Sequence, residues 1–350
     1  MANITINGAN YNDVPRLDVP SQSGDVSSFY EVSGTLSVTE NGLFDVKDKE
    51  KVDVNVAGSA GGVNVDDEVL SGVYWNGKDI VYRSSESIKP YVLANTNVKS
   101  FTATQSDSVN EKAFYQSQIE SFTGPKINII GASSFSECSL LSSISIPECT
   151  QIGYNALSST GITEVDLQVC TDISPSAFSS CTSLTRVNLP QITSLSDYVF
   201  SGCDKLEEIN VPMCTTINMG SFQNAKSLKR FSAPCAIVGY YAFNDCSLLE
   251  YVDFTPVNDV NDSLDYASFG GCTNLKTLCL RSEQTWVLRD AACFSNTPIQ
   301  MGTGFIYVPK NQIEQYKVAT NWTVYADQFR ALEDYTVDGT ITGELNLTKI

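Results

Sequence analysis

Histidine is absent from all 350 residues. That removes imidazole general bases, Ser-His-Asp and Cys-His nucleophile pairs, and the commonest metal ligand in one step. Charge is sparse, at 18% of residues, and one-sided, with 40 acids against 22 bases for a net charge of −18. A phosphate backbone or an anionic bilayer repels such a surface, so neither nucleic acid nor a membrane is an expected partner. No apolar run reaches the ~18 residues of a membrane-spanning helix. The opening, MANITINGANYNDVPRLDVP, has no basic stretch followed by an apolar one and so no secretory signal. The C-terminal ELNLTKI carries no anchor motif. A soluble product released into the cytoplasm is the expectation. No phosphate-binding or dinucleotide-binding glycine loop is present, and Gly58–Gly62 lacks the Lys-Ser/Thr that a phosphate loop needs.

What the chain does have is periodicity. Ala177-Phe178-Ser-Ser-Cys181-Thr-Ser-Leu184-Thr-Arg-Val187-Asn-Leu189-Pro190 returns as Val199-Phe200-Ser-Gly-Cys203-Asp-Lys-Leu206-Glu-Glu-Ile209-Asn-Val211-Pro212, and again from Ser221 and from Ala242. The anchors Leu93, Phe114, Phe135, Leu157, Phe178, Phe200, Phe222, Phe243, Phe269 and Phe294 are spaced 21, 21, 22, 21, 22, 22, 21, 26 and 25 residues apart. Within a unit, L-x-x-V-x-L alternates as a short half-buried strand does. The following proline ends that strand. Ile152, Ile173, Leu195 and Ile217 then turn the chain inward, and A-F-x-x-C forms the opposite wall as a turn or a short 3₁₀ or α segment. One unit cannot bury both walls, so units must stack into a solenoid with one parallel strand per repeat.

The eleven cysteines follow the period. Cys138, Cys181, Cys203, Cys246 and Cys272 stand three residues after an anchor; Cys149, Cys170, Cys214 and Cys235 stand near the end of the strand. Each set should form a column of small buried side chains in the reduced state. Ligands delivered one per repeat, without CxxC pairs, do not converge on a tetrahedral ion, so no metal is expected. No other cofactor is expected either. Three units, at Ala94–Val98, Ser158–Ile162 and Ser295–Ile299, lack the thiol and are one residue shorter.

The A-F-x-x-C-x-x-L-x-x-V-x-L-P units from about 88 to 300 closely resemble the BspA-type leucine-rich repeat family. The stretch Phe305-Ile-Tyr-Val-Pro309 to Phe329 resembles the terminal module that often follows such repeats. Trp322, Tyr325, Phe329 and Leu332 are spaced as one helical face, which would cover the last open repeat. The fold expected is a leucine-rich-repeat solenoid, mostly β with short helical or 3₁₀ turns, a small β-rich N-terminal region and a helical C-terminal cap. The boundaries are 1–57 for the β-rich attachment region, 58–66 for a Gly-rich linker and 67–87 for a hairpin capping the solenoid. The repeats follow at 88–304, the cap at 305–332 and a β-like tail at 333–350.

Val38-Thr-Glu-Asn-Gly-Leu-Phe-Asp-Val46, Val52-Asp-Val-Asn-Val56, the opening Ile6-Asn-Gly8 to Pro15 and the tail Glu333–Leu345 resemble β-modules of phage virion structural proteins. A β-rich terminal domain of no particular kind is the other reading. The resemblance to BspA-type repeats implies adhesion or protein recognition rather than catalysis. Its surface members should carry an export signal, whereas a virion protein assembles in the host cytoplasm and leaves by lysis. The expectation is therefore a non-enzymatic virion protein of tail or head. Its N-terminal region would dock other virion proteins and its solenoid would contact a host-surface protein or glycan, with a homo-oligomer as an option. The alternative is a bacterial surface adhesin. A carboxylate-pair glycosidase is a third possibility that composition leaves open. The Asn258–Asp265 stretch is expected to be a solvated loop and not a calcium site, since Leu264 stands where a calcium loop needs glycine.

The candidate binding surface is the outward side of the strand ladder, whose residues vary between repeats: Arg186, Asn188, Glu208, Asn210, Arg230, Tyr251 and Asp253. Arg and Tyr are frequent hot-spot residues. An ordinary polar exterior is the plain alternative.

Overall fold

The computed structural model describes side chains for residues 82, 85–255 and 262–335, and backbone strands at 2–6, 9–14, 35–38, 44–47, 51–54, 79–82, 335–338 and 346–349. The chain divides into two compact units, Met1–Cys181 and Thr182–Ile350. Each is a parallel β-solenoid, with one turn of the coil per repeat.

In the first unit the main ladder runs, in spatial order, through Lys51–Val54, Asp79–Tyr82, Ser100–Ala103, Ser121–Thr123 and Ser143–Ser145, all parallel. A second ladder of two-residue strands follows it at Ser108–Val109, Ile129–Ile130, Gln151–Ile152 and Asp172–Ile173. Hairpins at Ala2–Ile6 with Ala9–Val14 and Thr35–Val38 with Phe44–Lys47 precede them. The parallel ladder thus starts at Lys51, ahead of the position 88 at which the repeat motif becomes readable. Asp79–Tyr82, expected to close a hairpin, is instead a parallel strand. The proposed linker at 58–66 lies outside the described residues.

In the second unit Arg186–Asn188 pairs with Glu208–Asn210. A further sheet runs through Arg230–Ala233, Tyr251–Phe254, Thr277–Leu280, Phe305–Val308 and Phe329–Ala331. A second ladder of this unit runs through Ser194–Leu195, Thr216–Ile217, Ile237–Val238, Ser263–Leu264 and Val287–Leu288. Ser263 and Leu264 are buried in it, which corrects the solvated loop expected there. Registers hold on both sides of the 26-residue repeat: Phe254 stays opposite Ala233, and Leu264 opposite Val238. The extra length is confined to the arm between them.

The third side of the turns anchored from Leu93 to Phe269 is a tight corner rather than a helix, while in the Phe294 turn it is a 3₁₀ helix, Ala291–Phe294. Alternate amides bond to the next repeat: Phe114 N–H donates to Ser134 O at 2.7 Å, Phe222 N–H to Ala242 O at 2.7 Å and Phe243 N–H to Ser268 O at 2.7 Å. In the repeats anchored from Leu93 to Phe269 the corner needs two left-handed residues, at two before and two after the anchor. Lys112 and Gln116 flank Phe114 with φ of 53° and 55°, and Ser133 and Glu137 flank Phe135 at 50° and 63°. Gly220 and Asn224 flank Phe222 at 60° and 62°. Side chains rarely adopt this conformation without cost, which is why Ser, Asn and Gly gather there.

Between the walls the anchors stack. Phe200–Phe222, Phe222–Phe243, Phe243–Phe269 and Phe269–Phe294 lie 5.8, 5.0, 5.2 and 5.7 Å apart with nearly parallel rings. In the first unit Phe114 and Phe135 do the same at 4.8 Å. These spacings follow the rise of ~4.8 Å that neighbouring strands impose.

All eleven thiols are free and buried. Cys138 Sγ donates to the preceding anchor's carbonyl, Phe114 O, at 2.9 Å; Cys246 and Cys272 repeat this to Phe222 O and Phe243 O at 3.0 Å. In the shorter units the position is kept polar. Thr96, Thr160 and Thr297 occupy it, and their hydroxyls donate to Leu93 O, Leu157 O and Phe294 O at 2.7, 2.9 and 2.6 Å. Threonine bonds within its own repeat, whereas cysteine reaches the preceding one.

The cap differs from the expected single helical face. Only Ile313–Val318 is α-helical; Trp322 and Tyr325 sit at a 3₁₀ turn, Phe329 on the last parallel strand and Leu332 in another 3₁₀ turn. Trp322 Nε1–H donates to Trp286 O at 2.7 Å, Asn321 Nδ2 to Leu288 O at 2.8 Å, and Tyr316 accepts Trp286 N–H at 3.0 Å. The cap thereby pairs backbone groups that a further repeat would otherwise have met.

Candidate functional site

The outward strand positions are the first place to seek function, because inward positions are spent on the core. Alternation puts Val187, Phe231, Val252 and Phe254 inside, all at most 2% exposed. Arg186 and Glu208, opposite in register, form an exposed ion pair at 3.0 Å. Beside it Asn210 Nδ2 donates to Asn188 Oδ1 at 2.8 Å. These four expected residues form one continuous polar patch. Such an exposed pair stabilises little, ~0–1 kcal/mol, so the patch is not explained by folding alone.

Arg230 lies opposite Tyr251, and Ser232 opposite Asp253. Here the expectation of an open face needs correction. Tyr251 is 6% exposed and Asp253 9% exposed. Asp253 takes a bidentate bond from Arg281, Nε to Oδ1 at 2.7 Å and Nη2 to Oδ2 at 2.9 Å. Tyr251 donates its hydroxyl to Asp253 Oδ2 at 2.9 Å. The reason is a second small core on the outer side of the sheet. Tyr251, Cys279 and Tyr307 form it, with Phe305, Leu332 and Tyr335 packed against it. After the last parallel strand the chain turns back over this end of the face, and Tyr335 meets the Tyr307 ring edge-on at 5.0 Å. Burial raises the Tyr251 and Cys279 pKa values, the latter to about 12, so neither is a ready nucleophile or base.

Arg281 was missed from sequence because it follows the strand rather than alternating within it. The signal that could have exposed the buried end is apolar drift at the outward positions: Asp253 is succeeded in register by Cys279 and then Tyr307.

Among the described residues, no group of three or more His, Cys, Asp or Glu side chains is arranged to hold a metal ion. None of the described helices is long and apolar enough to cross a membrane. What the strand face offers is an exposed patch of charge and amide groups around Arg186, Asn188, Glu208, Asn210 and Arg230, bounded at one end by the chain's own return.

Several solved structures are similar to the chain. A leucine-rich repeat protein from Eubacterium ventriosum is 17% identical, with 80% of this chain and 83% of that one covered at a TM-score of 0.41. A leucine rich cell surface protein from Faecalibacterium prausnitzii is 17% identical, covering 83% and 76%, at 0.43. The pneumococcal vaccine antigen PcpA is 16% identical, covering 74% and 78%, at 0.38. No curated protein matches the sequence. The model of the BspA type leucine rich repeat region matches residues 107–229 and 193–316, in six copies. Those spans cover well over half of the 350 residues, and with the parallel coil they settle the assignment: the chain belongs to the BspA-type leucine-rich repeat family.

Proposed function

We propose that the chain is a non-enzymatic binding protein of the bacterial surface, adhesin-like, and that the outward strand face around Arg186, Asn188, Glu208, Asn210 and Arg230 contacts a protein partner. One observation carries the reading. The inward positions repeat without change of character, while the outward ones of Arg186–Asn188, Glu208–Asn210 and Arg230 change charge from row to row and stay exposed or half-exposed, as a recognition surface requires. The ion pair at 58% and 62% exposure is dispensable for stability and available to a partner. Repeat scaffolds of this kind serve many partners, so the identity of this one lies in the side chains and not in the fold.

The family match spans 107–316 and does not reach the terminal segments that resemble virion modules. Virion placement therefore rests on those short resemblances, and the surface reading is preferred. Antibody raised against the repeat region tests both. Labelling of intact, uninfected producing cells is the expected result. Label confined to phage particles, at tail or head, would overturn the surface reading and restore the virion one.

A further inference from the structure

We infer that the strand face continues beneath the C-terminal return, and that residues 332–335 are a displaceable cover standing in for a partner of like chemistry, an acidic peptide segment with apolar ends. The use of that covered surface rests on the strand-face reading above; its geometry does not.

Two outward columns run under the return. Arg230, Tyr251, Thr277 and Phe305 succeed one another in register, as do Ser232, Asp253, Cys279, Tyr307 and Arg330. Half-exposed Arg230 therefore belongs to the same face as buried Tyr251. Tyr251, Cys279 and Tyr307 form the covered core, with Phe305, Leu332 and Tyr335 packed against it. The Arg330 guanidinium lies over the Phe305 ring at 4.1 Å.

The coil does not need this cover. Its open end is closed elsewhere, by Tyr316, Asn321 and Trp322 on the Trp286 and Leu288 backbone. The return lies instead on a lateral face, where Arg186 and Glu208 stay in water. Its strand, Tyr335–Asp338, pairs with Asn346–Lys349 in a sheet of its own, outside both ladders. Among the described residues, the Glu333 and Asp334 side chains bond only to Lys310. Glu333 accepts the Lys310 N–H at 2.9 Å, and Asp334 meets the Lys310 ammonium at 3.3 Å. That ion pair is 67% and 47% exposed, so water competes for it. Leu332 and Tyr335 are half-buried. A segment held by two half-buried side chains and one exposed lysine opens locally before the coil unfolds.

The surface beneath is built to be bared. Tyr251 donates to Asp253, and Arg281 grips both oxygens of the same carboxylate. Tyr and Arg pack an apolar body and keep a polar tip for water, and they dominate binding hot spots. The occupant shows what such a surface takes. Leu332-Glu333-Asp334-Tyr335 sets an apolar side chain at each end and two carboxylates between. The ends meet the tyrosine core and the acids meet Lys310.

Cys279 reports the opening, because it alone of the eleven cysteines belongs to this outer core. The test is timed alkylation of the folded full chain with N-ethylmaleimide, each thiol followed by mass spectrometry of its peptide. Cys279 should react at least tenfold faster than any other thiol. Leu332→Ala/Tyr335→Ala and, separately, Lys310→Glu should each speed it at least fivefold more. Continued protection of the other thiols shows that the coil stays folded. Lys310→Glu, at an exposed side chain, decides the case in which the double substitution loosens the coil itself. A synthetic peptide of residues 331–338 should bind the double variant saturably and slow Cys279 again. The same peptide with lysine in place of both central acids should do neither. Loss of partner binding at the Arg186 patch would overturn the strand-face reading and leave these readouts standing. The proposal fails if Cys279 reacts no faster than the other thiols, if the substitutions leave its rate unchanged, or if the acidic peptide fails to bind or to protect.

Discussion

At the scale of single residues, the two left-handed positions per corner are the main local constraint. Gly202 holds one, at φ 72°. Gly202→Ala should lower stability by ~1–2 kcal/mol, read as a shift in urea midpoint, because at left-handed φ the new Cβ crowds the following carbonyl oxygen. The buried thiols give a second prediction. Burial pushes Cys138, Cys170 and Cys214 to about 11 and Cys149 and Cys293 to about 12, above an ordinary value of 9.0. A group whose pKa is raised by folding stabilises the folded state below its unfolded pKa and loses that contribution as pH climbs through the folded one. Urea midpoints should therefore be flat in these groups up to about pH 9 and fall steeply between about 9 and 12. A midpoint that stays level across that window would contradict the burial of the thiols. The cysteine columns were legible from spacing alone. The threonines that replace them were not, because Thr96, Thr160 and Thr297 show their role only through the carbonyl each hydroxyl meets.

At the scale of elements, the strands and the cap behave differently from one another. Two ion pairs on the outer side of the ladder make the contrast. Arg186–Glu208 is exposed, and Arg186→Ala should move the unfolding midpoint by less than ~0.5 kcal/mol equivalent. Arg281–Asp253 adjoins the Tyr251 hydroxyl of the outer core, with Asp253 only 12% exposed at its side chain. Asp253→Ala leaves a half-buried guanidinium and the Tyr251 hydroxyl without their acceptor, at a cost of ~1–3 kcal/mol. Equal effects of the two substitutions would refute the burial described here. In the cap, Trp322 is fully buried and meets Phe294 at 6.0 Å and Tyr316 at 5.4 Å. Trp322→Ala should cost ~3–5 kcal/mol in chemical denaturation. Strand alternation was readable in Arg186-Val187-Asn188 because each strand packs on one wall. The cap was readable only as apolar content: Trp322, Tyr325, Phe329 and Leu332 have helical spacing, yet they serve a turn, a strand and the outer core, since tertiary packing overrode the period.

At the scale of the whole molecule, a solenoid has open ends, and its stability is a sum of repeat and neighbour terms. Removing residues 305–350 would bare Trp286 and Phe294, both now almost fully buried, together with the edge of two ladders. Such a truncated chain should self-associate, with light scattering rising with concentration, whereas the full chain at net −18 should stay monodisperse at neutral pH. The repeat was legible as far as its anchors, from Leu93 onward; the ladder strands at Lys51–Val54 and Asp79–Tyr82 lack the A-F-x-x-C corner and so escaped the period. The 26-residue repeat carries a practical consequence. Its surplus enters between Phe254 and Leu264 while both residues keep their partners, Ala233 and Val238, in register. That arm is an insertion point already accepted by the coil. An epitope or a fluorescent label grafted there would report on the protein in place, and successive grafts of growing length would measure how much foreign chain one turn of the coil can carry.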